Sequence, residues 1–437
     1  MTERKPVPPP ASRSWYRLDN AAKIYPAIRG SRHVSVFRIQ AVLKQDIDPD
    51  RLQAALNQTM PRFPFFEVSL KRGFFWYYLE TAKKQVRIEP DVINPIRPMR
   101  NDDVKNHLLR VRYGDRHISV EFFHALTDGY GASVFLKTLT GVYLHLCGHE
   151  VKPGHGFLDV LEPPDPDEAE DAYKKFASFR VTRRPSESRA FHLRGTMRPG
   201  HHLRIITGVL SASGIREKAR SMKVTVTELL TACYLEQIYL VQQQEGFHTN
   251  KPVRVSVPVN VRRFYQTPTL RNFALYANPG IEPAYGTYTF DEILQLVHHF
   301  MQYTVTEKYL NALMCANVLP EYNWLLRLSP LPVKTLAMRL VYNWTGESRF
   351  TSSMSNLGTT DMPAGFAEHV ERIDFMLGPS YQNPINCGVI SFGDRLSITF
   401  SSTMAETDVE RAFFRKLVLL GLPVTVQSNC LPDGGMP

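Results

Sequence analysis

The sequence predicts an α/β fold in which strands and helices form layers (α+β layered). Strand-like and helix-like segments alternate along both halves of the 437-residue chain. In residues 117–123 apolar and polar side chains alternate, and in residues 131–146 apolar side chains recur at helical spacing. Hydrophobic residues make up 43% of the chain, enough to bury one or two large cores. Two domains are therefore expected.

The first elements follow from local signals. Residues 1–14 have a basic start and a run of prolines, which predicts a disordered arm, and the folded part begins near Trp15. Asp48 and Pro49 are typical of the N-cap and first position of a helix. The aromatic run from Phe74 to Leu79 predicts a strand.

In the second half, three Thr-x-x-Glu pairs precede apolar periodic runs and predict capping boxes at helix starts. They are Thr225 with Glu228, Thr289 with Glu292, and Thr407 with Glu410. Residues 153–171, rich in Pro, Gly and acidic residues, and residues 183–188 are typical of a link between halves. This predicts one domain over residues 15–190 and a second over residues 191–437.

The motif His124-Ala-Leu-Thr-Asp128-Gly129 lies where the predicted strand gives way to the predicted helix. A neutral imidazole in such a loop can accept a proton from an attacking alcohol, amine or thiol. The strand and helix on either side would hold the loop backbone still. We therefore interpret His124 as a candidate general base.

Asp128 and Gly129 admit more than one interpretation. Asp128 could orient the imidazole, or it could turn away and bind an arginine that fixes the loop, and we favour the second. Gly129 permits a positive φ or a close approach of backbone. The alternative without chemistry is a histidine that ends the strand and an aspartate that caps the next helix.

Further segments, in this order, carry a family resemblance. They are Asp48–Phe66, Thr225–Tyr234, Val257–Arg263, Asn272–Ala274 and Ser353–Gly358. Together with the His124 motif, they resemble landmarks of the chloramphenicol acetyltransferase-like, CoA-dependent acyltransferase superfamily, which includes condensation domains. The resemblance covers about residues 15 to 425 and is nearest to alcohol acetyltransferase-like proteins.

This resemblance implies two similar α/β domains related by pseudo-twofold symmetry, with an active-site tunnel between them. CoA or a phosphopantetheine arm would enter from one face and the acceptor from the other, with His124 near the middle. Arg262 would tie down the His124 loop by pairing with Asp128, and Arg263 is the competing choice. The candidate oxyanion or substrate donors are Ser353, Ser355 and Asn356, whose alternative role is to satisfy nearby backbone.

Two departures from the family pattern are visible. Many members carry a doubled histidine, and here the first of the pair is Phe123. The plant enzymes of the group add a C-terminal DFGWG motif. This chain has only Ser391-Phe-Gly-Asp394, which we interpret as a turn between strands.

The leading functional hypothesis is transfer of an acyl group, most simply acetyl, from a CoA thioester to the hydroxyl of a small or lipophilic alcohol. His124 would act as general base, and no cofactor would be bound permanently. One alternative is a free-standing condensation enzyme that forms an amide from donors bound to an acyl carrier protein. The other is a non-catalytic relative that binds a ligand in the tunnel.

Composition narrows the classes of partner and compartment that the chain could have. The formal charge of +10 favours an anionic partner, but the basic residues are dispersed and do not indicate nucleic-acid binding. Five widely spaced cysteines, the lack of an apolar run that could span a bilayer and the lack of a signal peptide predict a cytoplasmic protein. His145, His149 and His155 cluster near a helix end, where histidines are common, and no metal site is predicted.

Two apolar stretches leave alternatives open. The aromatic residues of Phe63–Phe66 and Phe74–Tyr78 are interpreted as core, with the lining of an acyl or acceptor channel as the alternative. Residues 323–344 are apolar but are interrupted by Pro330 and Pro332 and by basic residues, which argues against a membrane-spanning helix. This stretch would border the acceptor entrance or touch a membrane surface.

Overall fold

A computed structural model describes residues 15–30, 33–178, 187–244, 250–360, 365–380 and 382–430. The arm predicted for residues 1–14 lies outside these residues. In chain order the helices are α1 (Ile24–Ile28), α2 (Pro49–Thr59), α3 (Asn101–Asn106), α4 (Gly129–Leu146), α5 (Ala172–Phe176), α6 (Ala212–Ser221), α7 (Val226–Gln244), α8 (Phe290–Thr304), α9 (Glu307–Val318), α10 (Trp324–Leu328), α11 (Leu331–Thr345), α12 (Phe366–His369) and α13 (Asp408–Leu419).

The strands, in chain order, are β1 (Trp15–Arg17), β2 (Val36–Leu43), β3 (Val68–Arg72), β4 (Tyr77–Thr81), β5 (Ile88–Pro90), β6 (Leu109–Tyr113), β7 (His117–Phe123), β8 (Arg204–Ser211), β9 (Val253–Asn260), β10 (Ala274–Ala277), β11 (Gly280–Ile281), β12 (Ser352–Thr360), β13 (Val370–Leu377), β14 (Ile385–Phe392), β15 (Arg395–Ser402) and β16 (Thr425–Ser428). Helices and strands therefore alternate in both halves, as an α/β fold requires.

Each half of the chain builds a large sheet. The first-half sheet has the order β13-β2-β7-β6-β5, and a second, eight-stranded sheet has the order β10-β9-β12-β14-β15-β8-β16, with β11 paired to β9. A small sheet, β1-β4-β3, lies beside them. Helices α2 and α4 pack on the first sheet, and α7, α8 and α13 pack together in the second half. Each large sheet has its own hydrophobic core.

Strand β13 crosses from the second half to complete the first-half sheet, where it pairs with β2 in antiparallel register. The sequence did not indicate this exchange, because nothing local distinguishes β13 from its neighbours. The two halves are thus joined by hydrogen bonds in a shared sheet as well as by the chain itself. The predicted division near residue 190 stays a prediction.

Local signals predicted helix starts better than strand starts. The side chain of Asp48 caps α2 by accepting hydrogen bonds from two backbone amides, and the boxes at Thr225 and Thr289 form as predicted. The prediction of a capping box at Thr407 was wrong. Helix α13 begins at Asp408 as expected, but the Thr407 side chain does not cap it. Strand β4 begins at Tyr77, since a turn closed by Gly73 occupies the positions before it.

Within the described residues, none of the helices combines the length and the apolarity needed to cross a bilayer. The aromatic residues Phe63, Phe65 and Phe66 are buried in the first core, as expected. Phe74 and Phe75 are exposed instead, by 72% and 39%. The interpretation of Phe74–Tyr78 as core was therefore wrong for Phe74 and Phe75, while Trp76, Tyr77 and Tyr78 are half-buried.

Candidate active site

The loop that carries His124 opens onto a cavity between the two halves. Strand β7 ends at Phe123, and α4 begins at Gly129, so residues 124–128 form the junction. The cavity has a volume of about 530 Å³. Its walls come from α1, β2, the His124 loop and α4 on one side, and from β9, β12, β13 and the end of α11 on the other. Residues from both halves therefore surround His124.

Three neighbours hold the His124 ring. Tyr25 of α1 stacks on it, with ring centroids 4.6 Å apart and planes tilted by 11°, and Phe37 of β2 meets it edge-on at 5.0 Å. The ring atom Nδ1 lies 3.1 Å from Oδ1 of Asn272, a residue of the second half. These contacts fix the ring plane and direct Nδ1 toward Asn272.

The orientation of the Asn272 amide sets the tautomer of His124. The Asn272 Nδ2 group donates to the backbone oxygen of His124 at 3.0 Å and to Oδ2 of Asp19 at 3.3 Å. Since both partners only accept, Asn272 Oδ1 must face the imidazole, and an amide oxygen only accepts as well. Nδ1 of His124 is therefore the protonated nitrogen, and Nε2 keeps its lone pair.

The surroundings of His124 favour its neutral form. Burial lowers the pKa of His124 from its ordinary value of 6.5, and the hydrogen bond to its own backbone carbonyl, the charge of Asp128 and the hydrogen bond with Asn272 oppose this only in part. Asp19, behind Asn272, is fully buried, and burial raises the pKa of its carboxyl to about 6. The lowered pKa of His124 thus favours a neutral imidazole, able to accept a proton, at pH 7.

Asp128 turns away from the imidazole. One carboxylate oxygen, Oδ2, accepts from Nη1 of Arg262 at 2.8 Å and from the backbone amide of Phe273 at 2.8 Å. The other, Oδ1, caps α4 by accepting from the amides of Tyr130 and Gly131 at 3.1 and 3.2 Å. Both the arginine pairing and the helix cap that the sequence left as alternatives are present, so the two interpretations were not exclusive.

Arg262 is held as firmly as its partner. Its Nε donates to the backbone oxygen of Thr269 at 3.0 Å, and Nη2 donates to the backbone oxygen of Arg271. The guanidinium also lies 4.5 Å from the ring centroid of Tyr130. The ion pair with Asp128 has side chains only 8% and 7% exposed. Arg263, the competing choice, is exposed to solvent.

Two glycines allow the loop to pack closely. Gly129 does not adopt the positive φ that was one expectation, but a Cβ there would lie 2.4 Å from the Leu357 side chain. The stronger constraint falls on Gly131, where a Cβ would lie 2.2 Å from both the Leu270 backbone oxygen and the Thr127 hydroxyl. The sequence singled out Gly129 and missed Gly131.

The three candidate donors on β12 differ in what they contact. The hydroxyl of Ser353 donates to the backbone oxygen of Ser256 at 3.3 Å, and the Asn356 side chain bonds Thr227 and the amide of Gly358. Ser355 lines the cavity, and among the described residues its hydroxyl has no hydrogen-bond partner. Ser353 and Asn356 thus satisfy local groups, whereas the Ser355 hydroxyl is free for a ligand.

Phe123, the departure from the doubled histidine, is fully buried in the first core. It packs behind the loop and does not line the cavity. The sequence did not single out Asp19 or Tyr25, and it noted Asn272 only as a landmark. These residues are distant in sequence from His124, and no local pattern marks their contact with it.

Comparisons with known proteins show which solved structures share this fold. No protein-family model matches the chain, and no curated protein matches it in sequence. Solved structures do match over nearly the whole chain. One is polyketide synthase associated protein 5 from Mycobacterium tuberculosis, with 13% identity, a TM-score of 0.57, and coverage of 92% of this chain and 96% of that one.

Two further structures are similar to a comparable degree. Trichothecene 15-O-acetyltransferase from Fusarium sporotrichioides has 12% identity and a TM-score of 0.58, with coverage of 93% and 94%. The starter condensation domain of rhizomide synthetase, solved in complex with C8-CoA, has 14% identity and a TM-score of 0.60, with coverage of 93% and 95%. The chain therefore has the two-lobed α/β fold shared by condensation domains and chloramphenicol acetyltransferase-like acyltransferases.

Proposed function

We propose that the chain transfers an acyl group, most simply acetyl, from a CoA thioester to the hydroxyl of a small or lipophilic alcohol. The observation that carries this proposal is the placement of His124. Its ring lies at a cavity between two lobes, with Nδ1 engaged by Asn272, and burial lowers its pKa, which favours a neutral ring with Nε2 left as a base. The fold neighbours include an acetyltransferase and a domain solved with C8-CoA, which supports this class of reaction.

In the proposed mechanism, Nε2 of His124 takes the proton of the acceptor hydroxyl as its oxygen attacks the thioester carbonyl. The tetrahedral intermediate carries an oxyanion, which the free hydroxyl of Ser355 would stabilise. The carbon–sulfur bond then breaks, and the imidazolium returns its proton to the leaving thiolate. Both substrates are bound together, so no acyl-enzyme is needed. Asp128, Gly129 and Arg262 act by holding the loop.

A basic second cavity supports an anionic donor. It has a volume of about 1150 Å³ and shares Val34, Pro379 and Ser380 with the His124 cavity. Arg97 and Arg100 line it with exposed side chains that form no ion pair within the described residues. Guanidinium groups bind phosphates well, so the phosphates of CoA or of a phosphopantetheine arm would be held at this mouth.

The remaining walls of the His124 cavity favour a lipophilic acceptor. Polar and charged side chains, among them Lys137 and Glu347, share the lining with a set of apolar or aromatic ones: Tyr25, Ile28, Val36, Phe37, Val134, Leu357, Phe375 and Leu377. The apolar part would accommodate the hydrocarbon of a lipophilic acceptor. All five cysteines are free, which fits a reducing compartment, and we infer that the protein acts in the cytoplasm.

A second candidate function is amide formation from donors carried by an acyl carrier protein. Several fold neighbours are condensation domains, and His124 would serve an amine acceptor in the same way. A third candidate, ligand binding without catalysis, is motivated by the loss of the first histidine at Phe123. Thioester turnover would exclude ligand binding without catalysis. Dependence on a carrier protein would distinguish amide formation from acyl transfer to an alcohol.

The test is CoA release, followed with a thiol-trapping reagent while the purified protein is offered a panel of acyl-CoAs and alcohols. We expect turnover by the wild type and a loss of roughly 100-fold to 10,000-fold in His124→Ala, the range that general base catalysis contributes. The exposed His299→Ala serves as the matched control and should match the wild type. Equal turnover by His124→Ala would reject the mechanism.

A further inference from the structure

Eleven exposed large hydrophobic residues lie on α10, α11 and the turn before β4. We define the outer apolar face as Phe74, Phe75, Trp324, Leu325, Leu326, Leu328, Val333, Leu336, Leu340, Val341 and Trp344, all of them exposed large hydrophobic residues. The turn and the helices adjoin, since the amide of Leu331 donates to the backbone oxygen of Phe74 at 2.9 Å. Contiguous apolar surface of this extent marks an interaction site.

Helix α11 directs its apolar residues outward. Val333, Leu336, Leu340 and Trp344, spaced three or four residues apart, form one exposed stripe, with exposed fractions of 58, 61, 62 and 68%. The opposite face carries Lys334, which is buried and donates to backbone oxygens of Phe75 and Arg327. A core-facing helix has the reverse arrangement, and no described part of the chain covers this stripe.

The charges on this face have one sign. Residues 322–345 contain no aspartate or glutamate, while Arg327 and Arg339 are exposed. The flanking carboxylates are engaged elsewhere. Glu321 contacts Lys23 and Lys174, and Glu347 accepts from Tyr342 and Ser380. The outer apolar face therefore combines leucines, tryptophans and cations without a competing acid.

We propose that the outer apolar face docks on the surface of an anionic lipid bilayer. Leucines enter the acyl boundary, tryptophans are preferred at the headgroup level, and arginines pair with lipid phosphates. A second copy of the chain fits this face less well. A symmetric contact would bring the exposed Arg327 and Arg339 of two copies together with no carboxylate of this face between them. The net charge of +10 adds attraction to anionic lipid.

The outer apolar face lies close to the His124 cavity. Tyr342, on the inward side of α11, lines that cavity, and α11 packs on α1, which carries Tyr25. One helix diameter, about 10 Å, thus separates the exposed stripe from the cavity wall. If the proposed function holds, a docked molecule would draw a lipophilic acceptor from the membrane. The docking itself does not rest on that function.

Co-sedimentation with lipid vesicles tests the proposal without any assay of acyl transfer. The probes are phosphatidylcholine vesicles with and without 30% phosphatidylglycerol (roughly a third of the lipid, to supply an anionic surface). The double variant Leu336→Gln with Leu340→Gln removes the centre of the stripe. The matched control, Leu161→Gln with Leu419→Gln, changes two leucines that are 80% and 84% exposed elsewhere.

We expect the wild type and the control to bind the anionic vesicles, and the Leu336/Leu340 variant to bind roughly tenfold or more weakly. Failure of the wild type to bind would overturn the proposal, as would equal binding by both double variants. Quenching of wild-type tryptophan fluorescence by brominated lipid gives a second readout that needs no variant. Sedimentation velocity that finds a dimer, dispersed by the Leu336/Leu340 changes, would assign the face to a second copy instead.

Discussion

The two walls of the His124 cavity are held in different ways. On one wall, the His124 loop is bound to residues 262–273 of the second half by the Asp128–Arg262 ion pair, by the Asn272 amide and by hydrogen bonds between side chains of the loop and the backbone of Leu270 and Phe273. On the other, β12 presents Ser355, whose hydroxyl has no partner among the described residues. The first wall is fixed before any ligand arrives, whereas the second keeps a donor free for one.

This difference separates positioning from binding. A general base needs one ring orientation and one tautomer, and buried hydrogen-bonded groups supply both. The residues that fix His124 come from both halves, with Tyr25 and Phe37 from the first and Asn272 from the second, so the site is complete only when the two halves are together. A hydroxyl that stabilises developing charge must instead be unpaired in the free protein. Variants in the His124 loop wall should therefore lose stability and activity together, whereas variants of Ser355 should lose activity alone.

The largest effect is expected from Asp128→Ala, in the wall formed by the His124 loop. It leaves the buried guanidinium of Arg262 without its carboxylate and removes the cap of α4. We expect the free energy of unfolding to fall by about 3–5 kcal/mol, measured by denaturant titration, with activity lost as well. The control is Asp408→Ala, whose ion pair with Arg411 has side chains 60% and 55% exposed and should cost about 1 kcal/mol at most. Equal stability of the two variants would contradict the positioning role of Asp128.

The next largest effect is expected from Ser355→Ala, in the wall formed by β12. Because its hydroxyl has no structural partner, stability should stay within about 0.5 kcal/mol of the wild type, while kcat falls roughly 100-fold if it binds the oxyanion. Ser353→Ala is the matched control, since that hydroxyl already donates to Ser256. A wild-type kcat in Ser355→Ala would assign the oxyanion to another donor.

A smaller effect is expected from Asn272→Ala, which releases the His124 ring. We expect kcat/KM to fall roughly tenfold, about 1.4 kcal/mol, on loss of the hydrogen bond between Asn272 and the ring. The pH profile distinguishes positioning from a general structural defect. The hydrogen bond with Asn272 raises the pKa of His124, so its removal should move the acid limb of kcat/KM to lower pH. An unmoved acid limb would count against the role of Asn272.

The sequence predicted the parts of the site that lie close together in the chain. The strand, the loop and the helix around His124 have clear periodicity, and Asp128 precedes that helix at the N-cap position. The proximity of Arg262 was available only through resemblance to a family. Asn272, Asp19 and Tyr25 were not predicted as site residues, because contacts between distant residues leave no periodic signal. The crossing of β13 was missed for the same reason.

The predicted capping boxes illustrate a limit of local rules. Thr225 and Thr289 cap their helices as expected, but Thr407 does not, although its spacing to Glu410 is the same. Glu410 is buried, and burial raises the pKa of its carboxyl to about 7. Glu410 is thus buried beside a threonine that makes no cap, so the spacing of the two residues alone does not determine whether the box forms.

For His124 to act as the proposed general base, the two halves must together hold its ring neutral, with the proton on Nδ1 and the lone pair on Nε2. Nitrogen-15 NMR of protein labelled at its histidines measures this directly, and the His124→Gln spectrum identifies the resonances. At pH 7 we expect a protonated Nδ1 and an unprotonated Nε2. The ring should gain a second proton only below its ordinary pKa of 6.5, because burial lowers that pKa. A proton on Nε2 at pH 7, on a neutral or a charged ring, would contradict the role of His124 as general base.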